Sequence, residues 1–307
     1  MLDTQAKSSH IRGMNKLPLE TRVRILNMLV EGSSMRSVSR VCDVSINTVT
    51  KLLVDAGEAA EAFHDRTMTG LRTANLQVDE IWSFCVAKKV NVPKMKNVNP
   101  DAGDIWTFTS LDRDSKVIVS WFAGDRTQSA AQKFLTDTSA RIVTPVQVTT
   151  DGFQGYESAV AASFPAGTAY GQIQKKYGTT ADRGPARRYS PGVCIGADRE
   201  AIAGNPDKAM ISTSHVERMN LNMRMGMRRF TRLTNAFSKK FENHCNALAL
   251  YFFHYNFCRI HKSLRTSPAQ AAGITSELLS MAHLCKLMDD ANPPKKRGPY
   301  KKARSDV

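Results

Sequence analysis

Near residue 75 the hydrophobic period of this chain changes, and the change excludes a purely helical or a purely β architecture. Before it, apolar residues recur three and four positions apart. They are Val23, Leu26 and Val30 between Pro18 and Gly32, then Met35, Val38 and Val41 after Ser33 and Ser34, then Val49, Leu52 and Leu53 after Ser45. That spacing predicts three short helices with these inward faces, begun by Pro18, by Ser33 or Ser34, and by Ser45. After it, residues 76–87, 104–110 and 116–124 are rich in Val, Ile, Trp, Phe and Thr and read as strands, with a tight turn at 112–115. A capped helix over 127–141, a short buried strand over 146–150 and a helix over 156–164 follow. The expected class is α/β, a mixed sheet flanked by helices behind an all-α N-terminal unit.

The second half is less regular. A fifth strand is expected near 169–173, followed by a Gly- and Pro-containing basic insertion over about 175–210 that carries Lys175, Lys176, Arg183, Arg187, Arg188 and Arg199. A loop of that length either touches a partner or is a solvated excursion. Residues 214–230 read as a helix, and 238–255 as one apolar nearly all round and therefore buried. The expected organisation is 1–60 helical unit, 61–75 linker, 76–275 core, and 276–307 a C-terminal helix with a basic tail containing Lys295, Lys296 and Arg297.

Among 307 residues, 43 Lys and Arg against 28 Asp and Glu leave a net charge of +15, which favours a polyanionic partner. Double-stranded DNA is the leading candidate. The six cysteines form no Cys-x-x-Cys pair, so a zinc ribbon or redox motif is not expected. The start of the chain lacks the charged-then-apolar pattern of a signal peptide, and the most apolar run, 247–253, is too short to span a bilayer. A soluble cytoplasmic, nucleoid-associated protein is expected.

The turn at 43–45 between the second and third helices makes the N-terminal unit a candidate helix-turn-helix. In that geometry Asn47, Thr48 and Lys51 read base edges from the start of the third helix, while Arg36 and Arg40 lie nearer the phosphates. Helical spacing equally admits a three-helix bundle with no DNA role.

Three carboxylates stand in contexts that suggest one metal site. Asp79 lies in a strand, Val-Asp-Glu-Ile-Trp-Ser-Phe; Asp151 closes another, Val-Gln-Val-Thr-Thr-Asp-Gly; Glu217 lies on a helix, Ser-His-Val-Glu-Arg-Met-Asn. Strand alternation lets only one of Asp79 and Glu80 face a given site, and Asp79 is preferred because Trp82 and Phe84 share the Glu80 face. On the helix, Asn220 and Arg224 share the face of Glu217 and His215 does not. Such carboxylates suit Mg²⁺ or Mn²⁺, as two ions, for phosphodiester chemistry.

The segments Asp79-Glu80-Ile81-Trp82-Ser83-Phe84, Thr150-Asp151-Gly152, His215-Val216-Glu217-Arg218-Met219-Asn220 and Phe237-Ser238-Lys239 resemble the core of bacterial insertion-sequence DDE transposases, most closely the IS-one type, over roughly 78–272. The resemblance implies an RNase H-like core, Asp79, Asp151 and Glu217 as the metal-binding catalytic triad, and cleavage and joining of element ends to target DNA by a homo-oligomer. It places a basic DNA contact at Arg224. No cysteine pair precedes Asp79, so the helical unit stands where members often carry a zinc module. A domesticated DNA-binding regulator with an inactive core is the alternative reading. A tyrosine recombinase built on Arg259, His261, Arg265 and Tyr300 is disfavoured by their spacing.

Overall fold

The computed structural model describes residues 16–97, 99–178, 194–231, 234–291 and 293. Its N-terminal helices are α1 (Leu19–Val30), α2 (Met35–Val41) and α3 (Ile46–Thr67). Pro18 is the N-cap of α1. Gly32 ends the helix in the left-handed region at φ +80°. The Ser34 and Ser45 hydroxyls accept from the Ser37 and Thr48 N–H groups at 3.0 and 3.1 Å. Leu26, Val30, Val38, Val49, Leu52 and Leu53 are buried as expected. Val41 is not, at 65% exposure. The seven-residue α2 ends there, and it is Cys42 that turns back onto α1, 3.8 Å from the Met28 sulfur.

α3 continues to Thr67 and so takes up the first part of the linker expected, as helical or irregular, over 61–75. Its middle buries Ala56, Gly57 and Ala60, small residues that carry little hydrophobic signal yet let two helices approach closely. The facing helix is α7 (Phe241–Phe253). A Cβ placed on Gly57 would lie 2.5 Å from the Cβ of Asn246. The N-terminal helices are therefore docked on the core.

Six strands follow: β1 (Asn75–Cys85), β2 (Gly103–Asp112), β3 (Ile118–Gly124), β4 (Gln147–Asp151), β5 (Ala169–Tyr177) and β6 (Cys194–Ala203). They form one sheet in the order β3-β2-β1-β4-β5-β6. β1 to β3 pair antiparallel, β4 and β5 join β1 in parallel, and β6 returns antiparallel to β5. The basic stretch expected as a loop over 175–210 thus contains the last turn of β5 and an entire edge strand. β6 is mostly exposed, so it carries no alternating apolar pattern by which its sequence could be read. Arg183, Arg187 and Arg188 lie outside the described residues, as do Lys295, Lys296 and Arg297.

On one face of the sheet, Phe108 of β2 packs with Phe134 of α4 (Gln128–Ala140) and Tyr156 of α5 (Gly155–Ser163), at 5.8 and 6.3 Å between ring centroids. On the other, the Gln77 side chain of β1 caps α6 (Ser214–Gly226), accepting from the His215 and Val216 N–H groups at 2.9 and 3.2 Å. The free edge of β3 is covered from the helical side. Asn256 bonds both the N–H and the C=O of Ile118, and His64 of α3 meets the Val119 carbonyl at 3.1 Å. These contacts occupy backbone groups that would otherwise invite another strand. The chain closes with α8 (Pro268–Ala271) and α9 (Met281–Ala291), the latter tied to α1 by the Arg22–Asp289 ion pair at 2.8 Å.

Two buried histidines, His64 of α3 and His244 of α7, make the fold acid-sensitive. Burial, reinforced by the Arg141 charge, lowers His64 to about 4; burial, reinforced by the Arg229 charge, lowers His244 to about 3. The unfolded chain binds these protons below the ordinary histidine range and the folded chain does not. Stability is therefore expected to fall as pH drops below about 6.5, with each histidine contributing about 1.4 kcal/mol per pH unit. Urea titrations from pH 7 to 4.5 measure this slope, and His244→Gln should reduce it.

Candidate metal centre

The parallel ladder between β1 and β4 ends at Gln77↔Thr149. Beyond that pair the two strands separate, and the carboxylates of Asp79, Glu80 and Asp151 meet in the opening, with ligand oxygens within 4.8 Å of one another. This is the end of the sheet at which β1, β3, β4 and β5 all terminate, the usual position of ligand sites in open α/β sheets.

Strand alternation holds, but the conclusion drawn from it for Glu80 does not. Asp79 is held from the α6 side, where Asn220 Nδ2 donates to Oδ2 at 2.8 Å, while the Glu80 N–H donates to Oδ1 at 2.9 Å. Glu80 is held from the opposite side, accepting from the Tyr156 hydroxyl of α5 at 2.6 Å and from the Arg126 guanidinium. Because β1 has no neighbour to the β4 side at this level, both side chains reach the same opening from its two flanks. Asp151 Oδ1 accepts from the Phe153 N–H at 3.0 Å, and Arg126 lies 3.8 Å from Oδ2.

A cavity of about 1010 Å³ opens over this cluster, and Glu217, Asn220 and Arg224 line it from one face of α6. The shared face read from the sequence is thus correct, and His215 indeed points elsewhere, to Lys116 Nζ at 3.3 Å. Glu217 stands beside the three-carboxylate cluster and is held by the Lys175 ammonium of β5 and the Thr213 hydroxyl. Arg36, Arg40, Asn47 and Lys51 are exposed on the N-terminal helices and Thr48 is half-buried there; none lines the cavity. Lys51 pairs with Asp55 at 2.7 Å.

The cluster is electrostatically crowded. Burial, then the charges of Glu80 and Asp151, pushes Asp79 up to about 8. Burial likewise raises Asp151, and it raises Glu80 with help from the Asp151 charge and against the opposing effects of Tyr156 and Arg126. Three hard oxygen donors in a half-dry crevice, each resisting ionisation, are suited to coordinating one metal ion. Asn220 Oδ1 is buried and has no hydrogen-bond partner among the described residues.

Glu80, Arg126, Tyr156 and Lys175 acquire site roles that sequence reasoning did not assign. Arg126 ends the β3–α4 connection just before the N-cap Thr127, and β3 runs parallel to β1. Its place at the carboxylate end of the sheet follows from topology that the strand pattern alone leaves open.

The crowding has a measurable consequence for the metal-free protein. Asp79 is raised above its unfolded value, so the folded state holds an extra proton between the ordinary aspartate range and about pH 8. The stability this proton confers is present at low pH and lost as pH rises through about 8. The melting-temperature difference, Asp79→Asn minus wild type, is expected to grow from pH 5 to 8.5 in EDTA. Added Mg²⁺ or Mn²⁺ should raise the wild-type melting temperature most at the upper end.

Compared with known proteins, the chain matches no family model, and no curated protein is significantly similar to it in sequence. No helix among the described residues is long and apolar enough to cross a membrane.

Proposed function

We propose that this chain is a DDE transposase of the insertion-sequence kind, binding element ends through its N-terminal helices and performing strand cleavage and strand transfer on DNA. The observation that carries the reading is the convergence of Asp79, Asp151 and the Glu217 face of α6 on one cavity. The strand order, with three antiparallel strands joined in parallel to β4 and β5, agrees with an RNase H-like core. A net charge of +15 supports a polyanionic substrate.

Asp79 and Asp151 would hold one Mg²⁺ or Mn²⁺, and Glu217, once released by Lys175, would complete a second site. Bound there, such ions would activate an attacking water or 3′-hydroxyl and stabilise the leaving oxygen. The protein groups have separable tasks. Asn220 and the Glu80 N–H fix the orientation of Asp79. Arg126, braced by Glu80, and Lys175 set positive charge beside the carboxylates, where a phosphate must be accommodated, and Arg224 lies on the same wall. In the helix-turn-helix reading, Asn47, Thr48 and Lys51 meet base edges and Arg36 and Arg40 the backbone. The exposed Val41 and Ile46 flank these readers, a placement suited to thymine methyl groups.

The test is incubation of the full-length protein with end-labelled DNA containing the sequences that flank its coding region, with Mg²⁺ and with EDTA. Nicks at discrete positions near a repeat, present with Mg²⁺ and absent with EDTA, are the expected result. Metal-independent cutting, or no cutting of any flank with either Mg²⁺ or Mn²⁺, overturns the assignment.

A further inference from the structure

We infer that the outer end of β1 is a track for unpaired nucleotides, an aromatic and cationic row leading away from the carboxylate cluster. The inference deepens the proposed DNA chemistry and rests on that reading for the identity of the bound polymer.

Residues 80, 82 and 84 share one face of β1, so the row begins at Glu80 and continues through Trp82 to Phe84. Deeper in the sheet this face is sealed, since α4 and α5 leave Phe108 fully buried. Past Glu80 it emerges, and Trp82 and Phe84 are only half-buried. Their rings are 5.6 Å apart, and Phe237 stacks on Phe84 at 4.9 Å with an interplanar angle of 30°. Toward the site, Trp82 lies directly opposite Trp106 on β2. Arg126, the residue that braces Glu80, lies 4.9 Å from the Trp106 ring and 4.3 Å from that of Phe153. The aromatic surface is thus continuous with the metal-binding cavity.

Cations accompany the rings along the row. Lys88 Nζ lies 5.4 Å from the Trp82 ring and 5.9 Å from Phe84, and Lys239 Nζ lies 4.0 Å from Phe237. Both lysines are exposed. The acid nearest in register, Asp104 opposite Phe84, accepts from the Lys89 N–H at 2.9 Å. Flat, half-exposed rings alternating with mobile ammonium groups match a polymer with a π-face on every unit and a phosphate between units. A double helix hides its bases and offers nothing for these rings to stack on.

The row is also built to be rigid. The Phe237-Ser238-Lys239 segment extends the β1 end, with the Val86 N–H donating to the Ser238 carbonyl at 2.8 Å. Ser238 Oγ is itself held by the half-buried Arg229 through Nε at 2.8 Å and by the fully buried His244 through Nδ1 at 3.1 Å. Stacking surfaces fixed in advance lose little freedom on binding.

The protein contains three tryptophans: Trp82 on the row, Trp106 opposite it on β2, and Trp121, which packs against Phe252 at 5.8 Å. Full-length protein is titrated in EDTA with oligo(dT) of about 12 nucleotides and, separately, with a blunt duplex of two separate strands, following intrinsic fluorescence. Quenching by oligo(dT) is expected. Trp82→Ala and Phe84→Leu should each weaken oligo(dT) binding about tenfold, Trp82→Phe should recover most of the affinity, and duplex binding should change little. No quenching by oligo(dT), equal affinity in Trp82→Ala and Phe84→Leu, or equal quenching by the duplex overturns the inference. Since no cleavage occurs in EDTA, failure here leaves the nuclease reading standing, and failure of the cleavage assay leaves this measurement interpretable.

Discussion

Asp79→Asn, Asp151→Asn and Glu217→Gln are each expected to reduce DNA cleavage and joining by about a thousandfold or more, equivalent to about 4 kcal/mol of transition-state stabilisation. Each change is nearly isosteric and removes one anionic ligand. The folded protein should survive, and the two Asn variants should melt higher than wild type without metal, because a repelling charge leaves a crowded crevice. Glu217→Gln should behave differently, since it loses the Lys175 ion pair and so gains no stability. Glu80→Gln is expected to have an effect of its own. Its carboxylate is one of the three clustered oxygen donors and also holds Arg126 and Tyr156, so a partial loss of activity is expected together with a smaller metal-induced stabilisation. Single-turnover cleavage paired with thermal melting with and without Mn²⁺ separates these cases.

Gly57→Val is expected to destabilise the protein by about 3 kcal/mol or more, among the largest effects of any single change outside the acidic cluster. The added side chain would meet Asn246 with its first carbon at 2.5 Å from both Cβ and Oδ1 and 2.6 Å from Cα. Contact with backbone-adjacent atoms of a buried helix cannot be relieved by a rotamer change. α3 would be pushed off α7, and with it the N-terminal unit. Denaturant unfolding measures the loss. A variant as stable as wild type would show that α3 is not docked as described, and that residues 1–60 form a separable unit.

The elements legible from sequence are those with a helical apolar period or a dense β-forming composition. α1 to α4 and α6 set apolar residues against polar ones at helical spacing, with Pro18, Ser34, Ser45 and Thr127 at the observed starts of α1 to α4, while β2 and β4 bury consecutive residues and are read from their β-branched and aromatic content. Reading failed where packing does not use hydrophobicity. The middle of α3 packs through Ala56, Gly57 and Ala60, and β6 is an edge strand exposed along most of its length. At the site, Asp79, Asp151, Glu217, Asn220 and Arg224 are brought to one cavity. Alternation puts Glu80 on the face of Trp82 and Phe84, away from Asp79, yet both carboxylates reach the same opening. The early end of the β1–β4 ladder is a three-dimensional fact that a period of two cannot express. Arg126, Tyr156 and Lys175 come from three separate elements, and no spacing along the chain links them to Asp79.

The most direct measurement of the central claim is anomalous diffraction from crystals of the protein grown with Mn²⁺. The account predicts a peak between the Asp79 and Asp151 carboxylates, with Lys175 withdrawn from Glu217. A fully occupied crystal with no manganese peak at these carboxylates, and Lys175 still paired with Glu217, would contradict it.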